Sequence, residues 1–203
     1  FVTDGSGTAA NQDRRGLYLT TAGDMIVGHL KDVHTQWAEG GDYRTSFESD
    51  TAAAVEKILT GMIILSGFET GGERLQAALD SANQEEEHSC FSDNTHRDMI
   101  QDVQGIWNVW NGVYKRTDGS DISGTSIKEI VAAVDGDLAS RVTDQIDTSL
   151  DLAKSMPVPF DWAISEGNTE GREAVQALVQ SLRDQETVLL EVFDRLELSV
   201  EIP

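Results

Sequence analysis

The chain has 203 residues, 39% of them hydrophobic, and sets 15 Lys and Arg against 36 Asp and Glu, for a formal charge of −21. That balance argues against nucleic-acid and anionic-membrane binding, both of which need a basic face. The hydrophobic content is that of a folded protein able to bury a core without disulfides. Cys90 is the single cysteine, so no internal disulfide forms, and no apolar run approaches the roughly 18 residues of a membrane span.

Residues 1–10 (FVTDGSGTAA) are polar and glycine-rich and read as an extended segment. From Gln12 the pattern becomes helical: Leu19, Ala22, Ile26, Leu30, Val33 and Trp37 recur every three or four residues, and Gly40-Gly41 ends the helix. His29 and His34 lie beside that stripe and read as core-edge or surface residues. A second helix starts at Ser49-Asp50 and runs to about Asp80, with Val55, Ile58, Leu59, Met62 and Leu65 as its apolar stripe. Continued at about 100° per residue, Glu69 and Glu73 fall within about 20° of the Met62 direction, which predicts partly buried carboxylates. A buried carboxylate requires a cation, a donor or a proton. An ion pair to Arg74 or Arg97 is the structural alternative to a ligand site. Gly67, Gly71 and Gly72 in the same stretch predict a close neighbour or a local distortion.

A loop from Ser81 to Asn94 follows, then a helix with a wide apolar face: Met99, Ile100, Val103, Ile106, Trp107, Trp110, Val113 and Tyr114. Residues 117–124 read as loop, 126–134 as a short helix, and 137–156 as a helix that Pro157 and Pro159 stop. Phe160–Ile164 reads as a connector lying on the bundle. The last long helix spans 167–197, with Val175, Leu178, Leu182, Leu189, Val192 and Leu196 in near-heptad spacing, and 199–203 form a tail. No segment shows the alternation of a strand. The fold class is all-α, an antiparallel helical bundle with one helical domain over 1–203.

The chemistry concentrates in one place. Glu69, Glu73, Glu85, Glu86, Glu87, His88, Asp93 and His96 gather around the 81–94 loop, with Arg74 and Arg97 beside them. Carboxylate and imidazole together suit iron, zinc or manganese, and carboxylates alone suit calcium. The candidate metal ligands are Glu69, Glu73, His88, Asp93 and His96, while Arg74, Glu87 and Arg97 line the site. His96, in the first turn of its helix, sits where the dipole favours the neutral, ligand-competent ring. An acidic loop is also an ordinary solvated surface, and Asp93 also reads as a helix cap. No phosphate loop, Cys-x-x-Cys or His-Glu-x-x-His motif is present. Cys90 lies in acidic surroundings, which disfavour a thiolate nucleophile.

Three stretches carry a family resemblance: 11–19 (NQDRRGLYL), 57–74 (KILTGMIILSGFETGGER) and 84–98 (QEEEHSCFSDNTHRD). Together they resemble the imelysin-like proteins, in particular the branch named iron-regulated protein A. The resemblance implies a bacterial protein exported to the periplasm or cell envelope, two packed helical bundles, and a role in iron supply. It implies a divalent metal, iron first and zinc second, and partners among envelope iron-uptake components. The family was first named for a peptidase, whereas related members resemble metal-uptake proteins. Its signature, Gly-x-His-x-x-Glu, occurs nowhere in this chain: His29 is followed three residues on by Asp32, and His34 by Trp37. The expectation is therefore a C-terminal portion of a longer protein, its metal site shared with an N-terminal half. Three functions remain open: a metal-binding envelope protein without catalysis, a metallopeptidase of the same fold, and an acidic interaction bundle. Insertion into a membrane is not expected.

Overall fold

The structure, a computed structural model, describes residues 4–198. The chain divides into two compact units after Ala54, and each is taken by itself.

The first unit holds α1 (Gln12–Trp37) and α2 (Asp42–Glu48). Residues 4–10 ahead of α1 contain neither helix nor strand, as their composition requires. The apolar stripe of α1 does form on a helix, but no α1 residue is buried. Leu19, Ile26, Leu30 and Val33 are each more than half exposed, and His29 and His34 are exposed too. The turn to α2 is held by aromatic rings. Trp37 meets Tyr43 and Phe47 edge-on, with centroids 4.9 and 5.2 Å apart.

The second unit is the bundle. Its first member is one continuous helix over 51–81: α3 (Thr51–Ile63), a π-helical segment (Ile64–Gln76) and α4 (Ala77–Ser81). The other long helices are α5 (Thr95–Asn111), α7 (Gly136–Ser155) and α9 (Thr169–Arg195). The core has two layers. One joins Leu59, Met62 and Ile63 to Ile106 and Trp110, to Leu138, Val142 and Ile146, and to Leu189, Val192 and Phe193. The other joins Leu75 and Leu79 to Met99 and Val103, to Leu150 and Ala153, and to Val175, Leu178 and Leu182. Each layer takes the start of one helix and the end of the next, so the four helices run up, down, up and down. The 82–94 loop and the 156–168 connector, with its short α8 (Phe160–Ile164), therefore lie at the same end. At the other end, α6 (Ile127–Val134) starts with a reciprocal capping box between Ser126 and Glu129.

Three expectations are corrected. Residues 113–115 and 121–123, read as helix end and loop, form an antiparallel hairpin, β1 and β2, with Tyr114 opposite Ile122. The helix stops at Asn111 because Gly112 adopts φ +63°, where any Cβ would stand 2.6 Å from the Gly124 carbonyl. Second, the 51–81 helix contains a window of mean hydropathy 1.4, long and apolar enough by length and composition to cross a membrane. Its Leu59, Met62, Ile63, Leu75 and Leu79 instead pack into the bundle core. Third, of the two carboxylates predicted to be partly buried, Glu69 is and Glu73 is not. A π-helix bonds i to i+5 and abandons the 100° step of the α-helix, so the inward positions are Ser66, Gly67, Thr70, Gly71 and Leu75. Glu73 is exposed and Glu69 half-buried. The tail at 199–203 lies outside the described residues.

The three glycines account for both the distortion and the neighbour. A Cβ on Gly71 would lie 3.4 Å from that of Leu182, and one on Gly67 would collide with the Glu186 carboxylate. Ser66 Oγ donates to the Leu182 carbonyl at 2.9 Å and accepts from Gln185 Nε2 at 2.9 Å, with both side chains fully buried.

Candidate functional site

The loop between α4 and α5 is fastened to the first turn of α5 by two residues. Thr95, fully buried, donates its hydroxyl to Glu87 Oε2 at 2.9 Å and accepts the Ser89 backbone N–H at 3.1 Å. Ser89 Oγ in turn donates to Asp98, whose other oxygen accepts from Asn94 Nδ2 at 2.9 Å. This network fixes where Glu87 and His88 stand: Glu87 turns inward, 5% exposed, and His88 outward.

Around that staple the charged groups fall into two neighbourhoods. On one side Asp102, half-buried on α5, accepts from Thr70 Oγ1 of the π-helical segment at 3.3 Å. Burial raises its carboxyl above the usual aspartate value, and the Asp98 charge raises it further; Thr70, His88 and Arg74 pull it back. Glu69 is committed to Arg74 at 3.0 Å, the structural alternative to ligation. On the other side stands Glu87. Burial raises its carboxyl first, and the charges of Asp161 and Asp93 raise it further, against the lowering effect of the Thr95 hydroxyl. Asp161 comes from α8, brought here by the antiparallel course of the bundle.

Four buried side-chain atoms among the described residues have no hydrogen-bond partner: Glu87 Oε1, His96 Nδ1, Asp161 Oδ1 and Gln185 Oε1. Three of them belong to this end of the bundle. Two are carboxylate oxygens and one is an imidazole nitrogen, all of them atoms that ligate metals. Buried acceptors of this kind are costly when unpaired.

The five ligands expected from sequence are thus dispersed. Glu69 is ion-paired, and Glu73, His88 and Asp93 are exposed. His96 is half-buried with Nδ1 enclosed, and Arg97 is exposed. Among the described residues no three His, Cys, Asp or Glu side chains stand close enough to hold a metal ion together. Glu87, read as lining, becomes the central group. Asp161, Asp102, Thr95 and Thr70 went unread; the signal for Asp161 was topological, since two connectors at one end of a bundle must meet. Glu87 and Asp161 each keep one enclosed, unpartnered carboxylate oxygen, donors of the kind that divalent ions take from proteins.

A family model for imelysin, the peptidase family designated M75, matches residues 1–189. No curated protein matches the chain.

Proposed function

Because the chain belongs to the imelysin family, we propose that it binds a divalent metal ion at the loop end of its bundle, in iron uptake or sensing in the bacterial cell envelope, without hydrolysing peptides. The observation that carries this reading is Glu87: a carboxylate 5% exposed, one oxygen held by Thr95 and the other without a partner, under the charge of the half-buried Asp161, whose Oδ1 is enclosed and unpartnered too. Two such groups repel each other unless a proton or a cation stands between them.

In this reading Glu87 and Asp161 hold the ion. The acidic surface, −21 overall, concentrates cations at the mouth. Carboxylate and water ligands accommodate iron, manganese and zinc alike, and the preference for iron in this reading rests on the family resemblance, not on the donor set. The rest of the shell is water or groups from a partner, either an N-terminal half of the same protein or an envelope iron-uptake component. The export and the iron role rest on the family resemblance. The M75 designation favours a second reading, a metallopeptidase, in which the bound ion would activate water.

Elemental mass spectrometry of the purified protein, followed by titration of metal-free protein with Fe²⁺, Mn²⁺ and Zn²⁺, tests the proposal. One equivalent of iron bound, and no cleavage of an unfolded casein substrate, is the expected result. Chelator-sensitive cleavage moves the chain to the peptidase reading. Absence of binding by all three ions overturns both.

A further inference from the structure

The apolar stripe of α1 takes no part in the loop-end site. Leu19, Ile26, Leu30, Val33 and Trp37 stand between 44% and 64% exposed, and no residue of the helix is buried. At about 100° per residue these five fall within an arc of about 60°, a straight seam of about five turns and about 27 Å. The charged residues within that span are Asp24, Lys31 and Asp32. All three project about 130–150° from the centre of the stripe, so the apolar side is free of charge and uncovered. A helix gains most of its stability from packing such a face, and an exposed apolar surface of this length marks an interaction site.

We propose that a second copy of this chain covers the stripe, α1 against α1 in an antiparallel pair. Charge selects the copy. By formal charge the acids and bases of α1 cancel, whereas α5, α7, α9 and the 51–81 helix are each net acidic. In a chain of −21 two copies repel wherever those acidic surfaces face each other, and α1 is the long helix on which they meet without opposed carboxylates. The stripe is also its own complement. A two-fold axis at the level of Gly28, midway between Leu19 and Trp37, sets Ile26 beside the second copy's Leu30 and Leu19 beside its Trp37, at both ends alike. Antiparallel helices bring opposite dipole ends together as well. A seam of this length is at the small end of stable interfaces, which places the dissociation constant in the micromolar range. The stripe lies wholly in the first unit and the pairing needs no metal, so it stands independently of the function proposed above.

The test is sedimentation equilibrium of the full, metal-free chain over about 1–300 μM. A dimer that grows with concentration is the expected result. I26D and L30D each put a carboxylate into the seam and should weaken association by about tenfold or more. L17D adds the same charge to an exposed side chain about 170° from the stripe and should associate within about twofold of the parent. A spin label on L17C/C90S should find its copy at about 40 Å in the antiparallel pair, against about 25 Å in a parallel one. Far-ultraviolet circular dichroism checks that each variant keeps its helices. A monomer at every concentration leaves the stripe to another segment or partner and overturns the proposal. A dimer that both I26D and L30D leave intact, or the shorter spin-label distance, overturns it too.

Discussion

Thr95 gives its one hydroxyl hydrogen to Glu87 at 2.9 Å and leaves the second oxygen of that carboxylate enclosed and unpartnered. The contact orders the loop, since the same hydroxyl oxygen receives the Ser89 N–H. It also leaves an acceptor that no described residue of the chain satisfies. Stability and ligation are therefore coupled at one side chain.

The first consequence is a pH dependence. Burial raises the folded-state pKa of Glu87, so between its unfolded and folded values the folded protein holds more protons. Stability from this group is thus greatest at or below the ordinary glutamate pKa and is lost as pH rises through the folded-state value. Glu87→Gln keeps an acceptor for Thr95 and turns an amide toward Asp161. Metal-free E87Q should melt about 2–4 °C above the parent at neutral pH, the equivalent of about 1 kcal/mol. The gap should shrink as the pH falls toward that ordinary value, as thermal melts at several pH values would show.

A second consequence concerns Gly171. Its position against α8 leaves no room for a side chain: a Cβ would lie 2.5 Å from the Ala163 carbonyl and 2.8 Å from the Ala163 Cα. These are backbone atoms and cannot swing away. Gly171→Ala should cost about 2 kcal/mol or more and displace the short helix that carries Asp161. Gly72→Ala meets only one atom, at 3.4 Å, and should be within about 0.5 kcal/mol of neutral. Denaturant unfolding of the two variants makes the comparison.

The Ser66–Gln185 pair gives a third. Gln185 is fully buried, its Oε1 has no partner and its amide donates to Ser66. Ser66→Ala strands that donor as well and should cost about 1–3 kcal/mol. Gln185→Leu removes the unpaired oxygen together with the amide donor and should cost less than Ser66→Ala. Urea midpoints at constant slope would read the difference.

Glu73 separates the two ligand sets. It is exposed, and Glu69 is already taken by Arg74. Glu73→Gln should leave metal affinity within about twofold and stability within about 0.5 kcal/mol. A tenfold loss of metal affinity in calorimetry would return the site to the π-helical segment.

The all-α bundle was legible because its stripes at 138–153 and 175–192 keep the α period, and those residues are the ones found buried. Phase was not legible where the period changes. Three glycines announced a distortion near 67–72, but nothing in the letters says that i→i+5 bonding persists for 13 residues, and the exposure of Glu73 was missed for that reason. The 84–98 stretch was legible as the place where carboxylates and imidazoles crowd in sequence, yet its inward carboxylate, Glu87, could not be told from Glu85 and Glu86. That distinction depends on Thr95, eight residues away. Asp161 was out of reach of local pattern altogether, because only the folded bundle brings α8 to the loop.

The most direct measurement is calorimetric titration of the metal-free parent, Asp161→Asn and Asp144→Asn with Fe²⁺ under anaerobic conditions. Asp144 is an exposed carboxylate on α7 and serves as the charge control. The pairing of Glu87 with Asp161 predicts one equivalent bound by the parent, at least a tenfold loss in D161N and no change beyond about twofold in D144N. Equal affinity in D161N and the parent would contradict it.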